Sequence, residues 1–136
     1  MTAPGDVAVP IETGDDVVRV RQAARAAAGA AKLSLVDQTK VVTAASELAR
    51  NTLVYGGGGV AHVSQVTDER GRGGVHIVFR DEGPGIADVD LALTDGWTSG
   101  QGLGLGLTGA RRLVDAFELE TAVGQGTTIT VTKWRR

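Results

Sequence analysis

The chain has 136 residues, of which 42% are hydrophobic and 22% charged, with a formal net charge of −2. Length and composition describe one ordinary globular domain over 1–136, able to bury roughly two-thirds of its unfolded surface. The weak negative charge excludes a basic field for nucleic acid and a polybasic membrane signal, and the lack of cysteine excludes disulfides, thiolate metal sites and a thiol nucleophile.

Residues 1–6 read as a loose tail. Val7 to Ile11 fits an edge strand, because Pro10 has no N–H to give to a ladder. Gly14-Asp-Asp16 marks the entry to a helix, with acids at its positive end, and the Ala-rich run from Val17 to about Ala31 continues it. A second helix is predicted from Ser34 or Val36 to Tyr55, with Val41, Ala45, Leu48 and Thr52 forming one apolar stripe. Gly56-Gly-Gly-Gly59 stops that helix and reads as a flexible linker. No Lys-Ser/Thr follows, so it is not a Walker loop.

Val60 to Thr67 and Gly74 to Asp81 form two predicted strands around the polar turn Asp68-Glu-Arg-Gly-Arg-Gly73. Residues 87–103 are loop-rich. Leu107, Ala110, Val114 and Phe117 mark a third helix at helical spacing. Two β-like runs, Glu118 to Val123 and Thr127 to Trp134, close the chain through Gly124-Gln-Gly126. The order β-α-α-β-β-loop-α-β-β has more strands than crossover helices. It predicts an α/β sandwich of the α+β kind: two layers, a mixed and mostly antiparallel sheet, and helices on one face. His62 and His76 fall in strand-like segments without ligand spacing, which argues against zinc. No apolar stretch approaches the ~18 residues of a spanning helix, and residues 1–11 lack the cationic start of a signal peptide, so the expected location is cytoplasmic and not in a membrane.

Four clusters carry chemistry. Glu47 and Asn51 stand at i and i+4 on one helix face beside the apolar stripe. A carboxylate there can take a proton from an attacking hydroxyl, and an amide oxygen is a hard, neutral ligand for Mg²⁺; an exposed helix side gives the same pair. Asp81 continues the buried strand face of Val75, Ile77 and Phe79. A carboxylate on that face needs a donor, which an adenine amino group supplies, while Gly83-Pro-Gly85 lets the backbone approach a flat base. The same five residues also make a good turn.

Gly104-Leu-Gly-Leu-Thr-Gly109 matches the dinucleotide fingerprint in letters only, since no strand precedes it. What remains is a loop of bare amides at a helix start, suited to phosphates, with Leu103, Leu105 and Leu107 as anchors. A glycine hinge is the alternative. In the last cluster Thr127 shares a strand face with Ile129 and Val131. Its hydroxyl then points to the base or to Asp81, or else the segment is simply a hairpin turn rich in β-formers.

At these residues the chain resembles the GHKL ATPase superfamily, which includes gyrase, histidine kinases and MutL. Glu47 to Asn51 matches its N box, Asp81 to Gly85 its D-x-G-x-G box, Gly102 to Leu107 its phosphate loop, and Gly126-Thr127 its last box. Ser46 to Asn51, Asp95-Gly-Trp-Thr-Ser-Gly, Gly104 to Asp115 and Lys133-Trp134 look like the RsbT-type switch serine/threonine kinases. Those kinases are similar to the anti-sigma kinases of the RsbW and SpoIIAB kind.

The resemblance implies a Bergerat ATP-binding fold holding Mg²⁺-ATP, and phosphorylation of a STAS-domain antagonist protein in a bacterial partner-switching stress pathway. A phosphatase or other regulator is implied as second partner, and a homodimer is left open. By position, Glu47 is implied as general base and Asn51 as Mg²⁺ ligand. Asp81 is implied to bind the adenine amino group with Gly85, Ile86 and Thr127 beside the base, and Gly102, Leu103, Gly104, Leu105 and Gly106 to wrap the phosphates. The segment from Ala87 to Gly102 has no Lys or Arg, where some relatives place a cation; Arg50 is a candidate substitute. Trp97 in that segment fits a partner-contact anchor or simple packing. The other functional class that fits is a nucleotide-gated anti-sigma factor or binding switch acting by sequestration.

Overall fold

The structure, a computed structural model, describes residues 6–86 and 107–136. Strand β1 (Val7–Ile11) and helices α1 (Gly14–Ala30) and α2 (Leu35–Val54) come first, followed by β2 (Gly59–Thr67) and β3 (Gly73–Asp81). Helix α3 (Leu107–Arg112), β4 (Ala116–Thr121) and β5 (Thr127–Trp134) close the chain. Both long helices begin where polar side chains meet free amides. Asp16 accepts from the amides of Glu12 at 2.8 Å and Thr13 at 3.0 Å and pairs with Arg19. Those bonds, the Glu12 amide foremost, hold its carboxyl below the usual range. Ser34 Oγ accepts from Asp37 N at 3.1 Å, as an N-cap serine does.

The strands order as β1-β2-β3-β5-β4, with Pro10 on the edge strand as expected. Every described pairing is antiparallel, the limit of the mostly antiparallel sheet predicted. Period-2 alternation gives each strand one apolar face. Register stacks these faces in rows, Ala61–Phe79–Ile129–Leu119 and Val63–Ile77–Val131–Phe117. Helices α1 and α2 pack on each other and on the strands, burying Val20, Ala24, Val41, Ala45 and Leu48 against Ile11, Ile77 and Phe79.

The third helix is shorter than its spacing predicts. Leu113 N bonds Ala110 O at 3.1 Å, and Asp115 N already reaches Thr132 O at 2.9 Å. Val114 therefore lies beyond the helix and Phe117 on β4. Phe117 satisfies a helical period and also the alternation Phe117-Leu119-Thr121; pairing with β5 decides for the strand. For the same reason β4 starts two residues before Glu118 and ends before Val123, which is exposed.

Candidate nucleotide site

One row of the sheet ends in polar residues. Ile11, Gly59, Asp81, Thr127 and Thr121 stand opposite one another across all five strands, on the face the helices cover. Asp81 is 9% exposed and Thr127 3%. Burial pushes the Asp81 carboxyl above its ordinary pKa, against the opposing pull of the Gly83 and Thr127 backbone amides. Asp81 Oδ1 accepts from Gly83 N at 2.9 Å. That turn and the aspartate belong to one structure, so the two readings of Asp81 to Gly85 are compatible.

The Thr127 hydroxyl is directed by a neighbour. Thr121 Oγ1 donates to Gly126 O at 3.0 Å, accepts from Ile86 N at 2.9 Å, and lies 3.0 Å from Thr127 Oγ1. A hydroxyl carries one proton. With Thr121's proton on Gly126, the shared bond is donated by Thr127, and Thr127 faces the site as an acceptor only. Asp81 and Thr127 therefore present two acceptors side by side, a pair suited to an amino group.

Helix α2 supplies the other wall. Asn51 is 5% exposed, and among the described residues neither its Oδ1 nor its Nδ2 has a hydrogen-bond partner. Leaving such groups unpaired costs about 1–3 kcal/mol each, so a buried free carboxamide is conspicuous. Glu47, one turn earlier on the same side, is half-buried. Among the described residues no three His, Cys, Asp or Glu side chains converge as a metal cluster. The Asn51 amide oxygen is a hard, neutral donor of the kind Mg²⁺ accepts. Arg50 is exposed.

The tetraglycine after α2 is not a loose linker. Gly56 N bonds Asn51 O at 3.1 Å and Gly58 N bonds Thr52 O at 2.9 Å, capping the helix. A Cβ on Gly56 would sit 2.4 Å from the Asp81 carboxyl carbon, so glycine is needed for α2 to end against the aspartate. Gly85 has φ +74°, and a Cβ there would meet Ala122 O at 2.1 Å. The clearance anticipated for a flat base serves, at Gly85, the approach of two chain segments. A cavity of about 710 Å³ lies at this end of the sheet, lined by Gly56 to Val60, Arg80, Asp81, Glu82, Gln125 and Thr128. Val60, Arg80 and Thr128 stand on the face away from the helices, and Glu47, Asn51, Gly85, Ile86 and Thr127 do not line it.

A family model, the histidine kinase-like ATPase domain, matches residues 12–133. The chain belongs to this family. It is 44% identical over 128 residues to the serine/threonine-protein kinase RsbT of Bacillus subtilis (strain 168), covering 94% of this chain and 96% of that one. It is 32% identical over 104 residues to the anti-sigma F factor of Geobacillus thermodenitrificans, covering 71% and 69%. Among solved structures, the RsbU and RsbW domains of a Mycobacterium tuberculosis protein match with a TM-score of 0.63 at 20% identity. That match covers 96% of this chain but only 33% of the other, and it shows the fold alone.

For this histidine kinase-like ATPase domain, the structure gathers Asp81, Gly85, Ile86 and Thr127 at one end of the sheet, with Glu47 and Asn51 on the helix beside them. Gly102, Leu103, Gly104, Leu105, Gly106 and Trp97 lie outside the described residues. Sequence reasoning missed two members. Tyr55, the C-cap of α2, donates its hydroxyl to Gly85 O at 2.9 Å. Thr121 fixes the proton of Thr127. Its signal was present, since Phe117, Leu119 and Thr121 alternate onto the buried face. Among the described residues no helix is long and apolar enough to cross a membrane.

Proposed function

We propose that this chain is a cytoplasmic serine/threonine-protein kinase that uses Mg²⁺-ATP to phosphorylate a STAS-domain antagonist protein in a partner-switching pathway. A phosphatase or comparable regulator serves as second partner. The observation that carries the reading is the buried carboxamide of Asn51, unpartnered among the described residues, one helical turn from Glu47. The near full-length likeness to a serine/threonine-protein kinase directs it from ATP binding to phosphotransfer.

In this reading Asp81 and Thr127 accept from the adenine amino group, and Ile86 and the Gly85 backbone line the base. The backbone amides of Gly102 to Gly106 wrap the phosphates. Asn51 holds Mg²⁺, whose part is to offset phosphate charge. Glu47 takes the proton of the incoming Ser or Thr hydroxyl as its oxygen bonds the γ-phosphorus and ADP leaves. The likeness to anti-sigma F factors favours one second reading, a nucleotide-gated switch whose output is sequestration.

The test is phosphotransfer from γ-labelled ATP with Mg²⁺ to each STAS-domain protein of the same genome, wild type beside Glu47→Ala. Label on one STAS protein that vanishes in Glu47→Ala, with ATP binding retained, is the expected result. ATP binding and partner capture without label would favour sequestration.

A further inference from the structure

The opposite end of the sheet holds a second recess, about 670 Å³, which the nucleotide chemistry does not use. It lies between the β2–β3 turn and the C-terminal residues Trp134, Arg135 and Arg136. The turn is built rather than slack. Asp68 Oδ1 accepts from the amides of Arg70 at 2.9 Å and Arg72 at 2.8 Å, and its Oδ2 accepts from Arg72 Nε at 3.0 Å. These bonds, the Arg72 amide first, hold the Asp68 carboxyl below its usual range. Across the recess Arg135 N donates to Gly73 O at 2.8 Å, fixing the C-terminal segment to β3. The Arg72 guanidinium stands 5.4 Å from the centroid of the Trp134 ring.

Four arginines line this recess against two acids, Asp68 and Glu69, in a chain of net charge −2. Asp68 is engaged within the turn, and Arg136 pairs with Asp115. The side chains of Arg70 and Arg135 have no hydrogen-bond or ion-pair partner among the described residues. Two guanidinium forks without a partner among the described residues, at a recess that Trp134 also lines, suit the carboxylates of an acidic segment. Two such groups, in a chain of net charge −2, are too few cations to follow a nucleic-acid backbone.

We infer that this recess is a docking surface for an acidic segment of a partner protein, separate from the nucleotide site. Arg70 and Arg135 grip its carboxylates, and Trp134 is the platform. The chain has two tryptophans, so Trp97→Phe leaves Trp134 as sole reporter. The experiment titrates this variant with a blocked hexaglutamate peptide at low ionic strength, following Trp134 emission. Inorganic phosphate and a short DNA duplex are titrated in parallel.

The expected result is a saturable change with the peptide that weakens with added salt. It should weaken at least tenfold in Arg70→Glu/Arg135→Glu, with circular dichroism, melting temperature and ATP affinity unchanged. Should the charge reversal fail to fold, Arg70→Gln/Arg135→Gln replaces it with the same expectation. Absence of a saturable peptide response, equal affinity in the arginine variants, or an equal response to phosphate or DNA would each overturn the inference. None of these outcomes bears on ATP binding, which is read separately.

Discussion

The two ends of the sheet treat buried polar groups in opposite ways. At the far end Lys133 is 3% exposed, yet its ammonium lies 3.6 Å from Asp37 and 3.5 Å from Asp115. Asp115 also accepts from Trp134 N at 2.7 Å and pairs with Arg136. Each buried charge there has a partner. At the near end Asn51 is just as buried and has none among the described residues, and Asp81 is held where burial opposes its charge. A buried polar group with partners is part of the frame; one without them is reserved for something that arrives.

Replacing a member of each end by a hydrophobe tests that contrast most strongly. Lys133→Met leaves Asp37 and Asp115 without their shared cation and should lower stability by on the order of 3 kcal/mol. That corresponds to a melting temperature lower by roughly 10 °C. ATP affinity of the folded fraction should hardly change. Asn51→Leu is expected to do the reverse. It removes unpaired groups, so thermal stability holds or rises by about 1 kcal/mol, while Mg²⁺-dependent ATP binding disappears. Equal destabilisation by both substitutions, read by calorimetry, would erase the distinction.

Asp81 sharpens it further. Its folded-state pKa is raised above the unfolded value, so the folded protein binds that proton more tightly. The neutral acid favours folding at pH below the unfolded pKa, and this advantage is lost as pH rises through the folded one. In the proposed reading nucleotide recognition uses the ionised form, so ATP affinity should fall as acid titrates Asp81 through its raised pKa. At pH 7 Asp81→Asn should keep or raise the melting temperature. It should weaken ATP binding by about 1.5–3 kcal/mol, roughly 10- to 100-fold. A melting temperature that falls together with affinity would mark Asp81 as a structural residue. The smallest effect is expected at Thr121. Thr121→Val releases the Thr127 proton, and the preference for ATP over GTP in competition binding should narrow by roughly fivefold, about 1 kcal/mol.

How much of this was legible depended on whether the determining contacts are local. Strand β5 runs over the predicted residues because Thr127, Ile129 and Val131 alternate without interruption. The start of α2, predicted at Ser34 or Val36, falls at Leu35 with Ser34 as its N-cap. Helix α3 was overextended because Phe117 fits two periods, and only the β5 partner chooses between them. The tetraglycine looked slack because the side chain it must clear, Asp81, is remote in sequence. Tyr55 and Thr121 escaped notice since their partners, Gly85 and Thr127, meet them only in the folded sheet. Residue type and face put Glu47 and Asn51 on one helix side and Asp81 and Thr127 on the covered face of the sheet, where the structure has them; their roles came from the family resemblance. The proposed phosphate loop, Gly102 to Gly106, falls outside the described residues.

Strand β5 carries Thr127 at the candidate nucleotide site and Trp134 at the arginine recess. Seven residue steps of strand separate them, about 23 Å. The strand is therefore a ruler built into the domain. A partner held in the recess must extend past it, by about seven residues of extended peptide for that length alone, before any part of it comes level with the proposed base acceptors. Reach, as much as affinity, would then decide which proteins this domain can modify and which it can only hold.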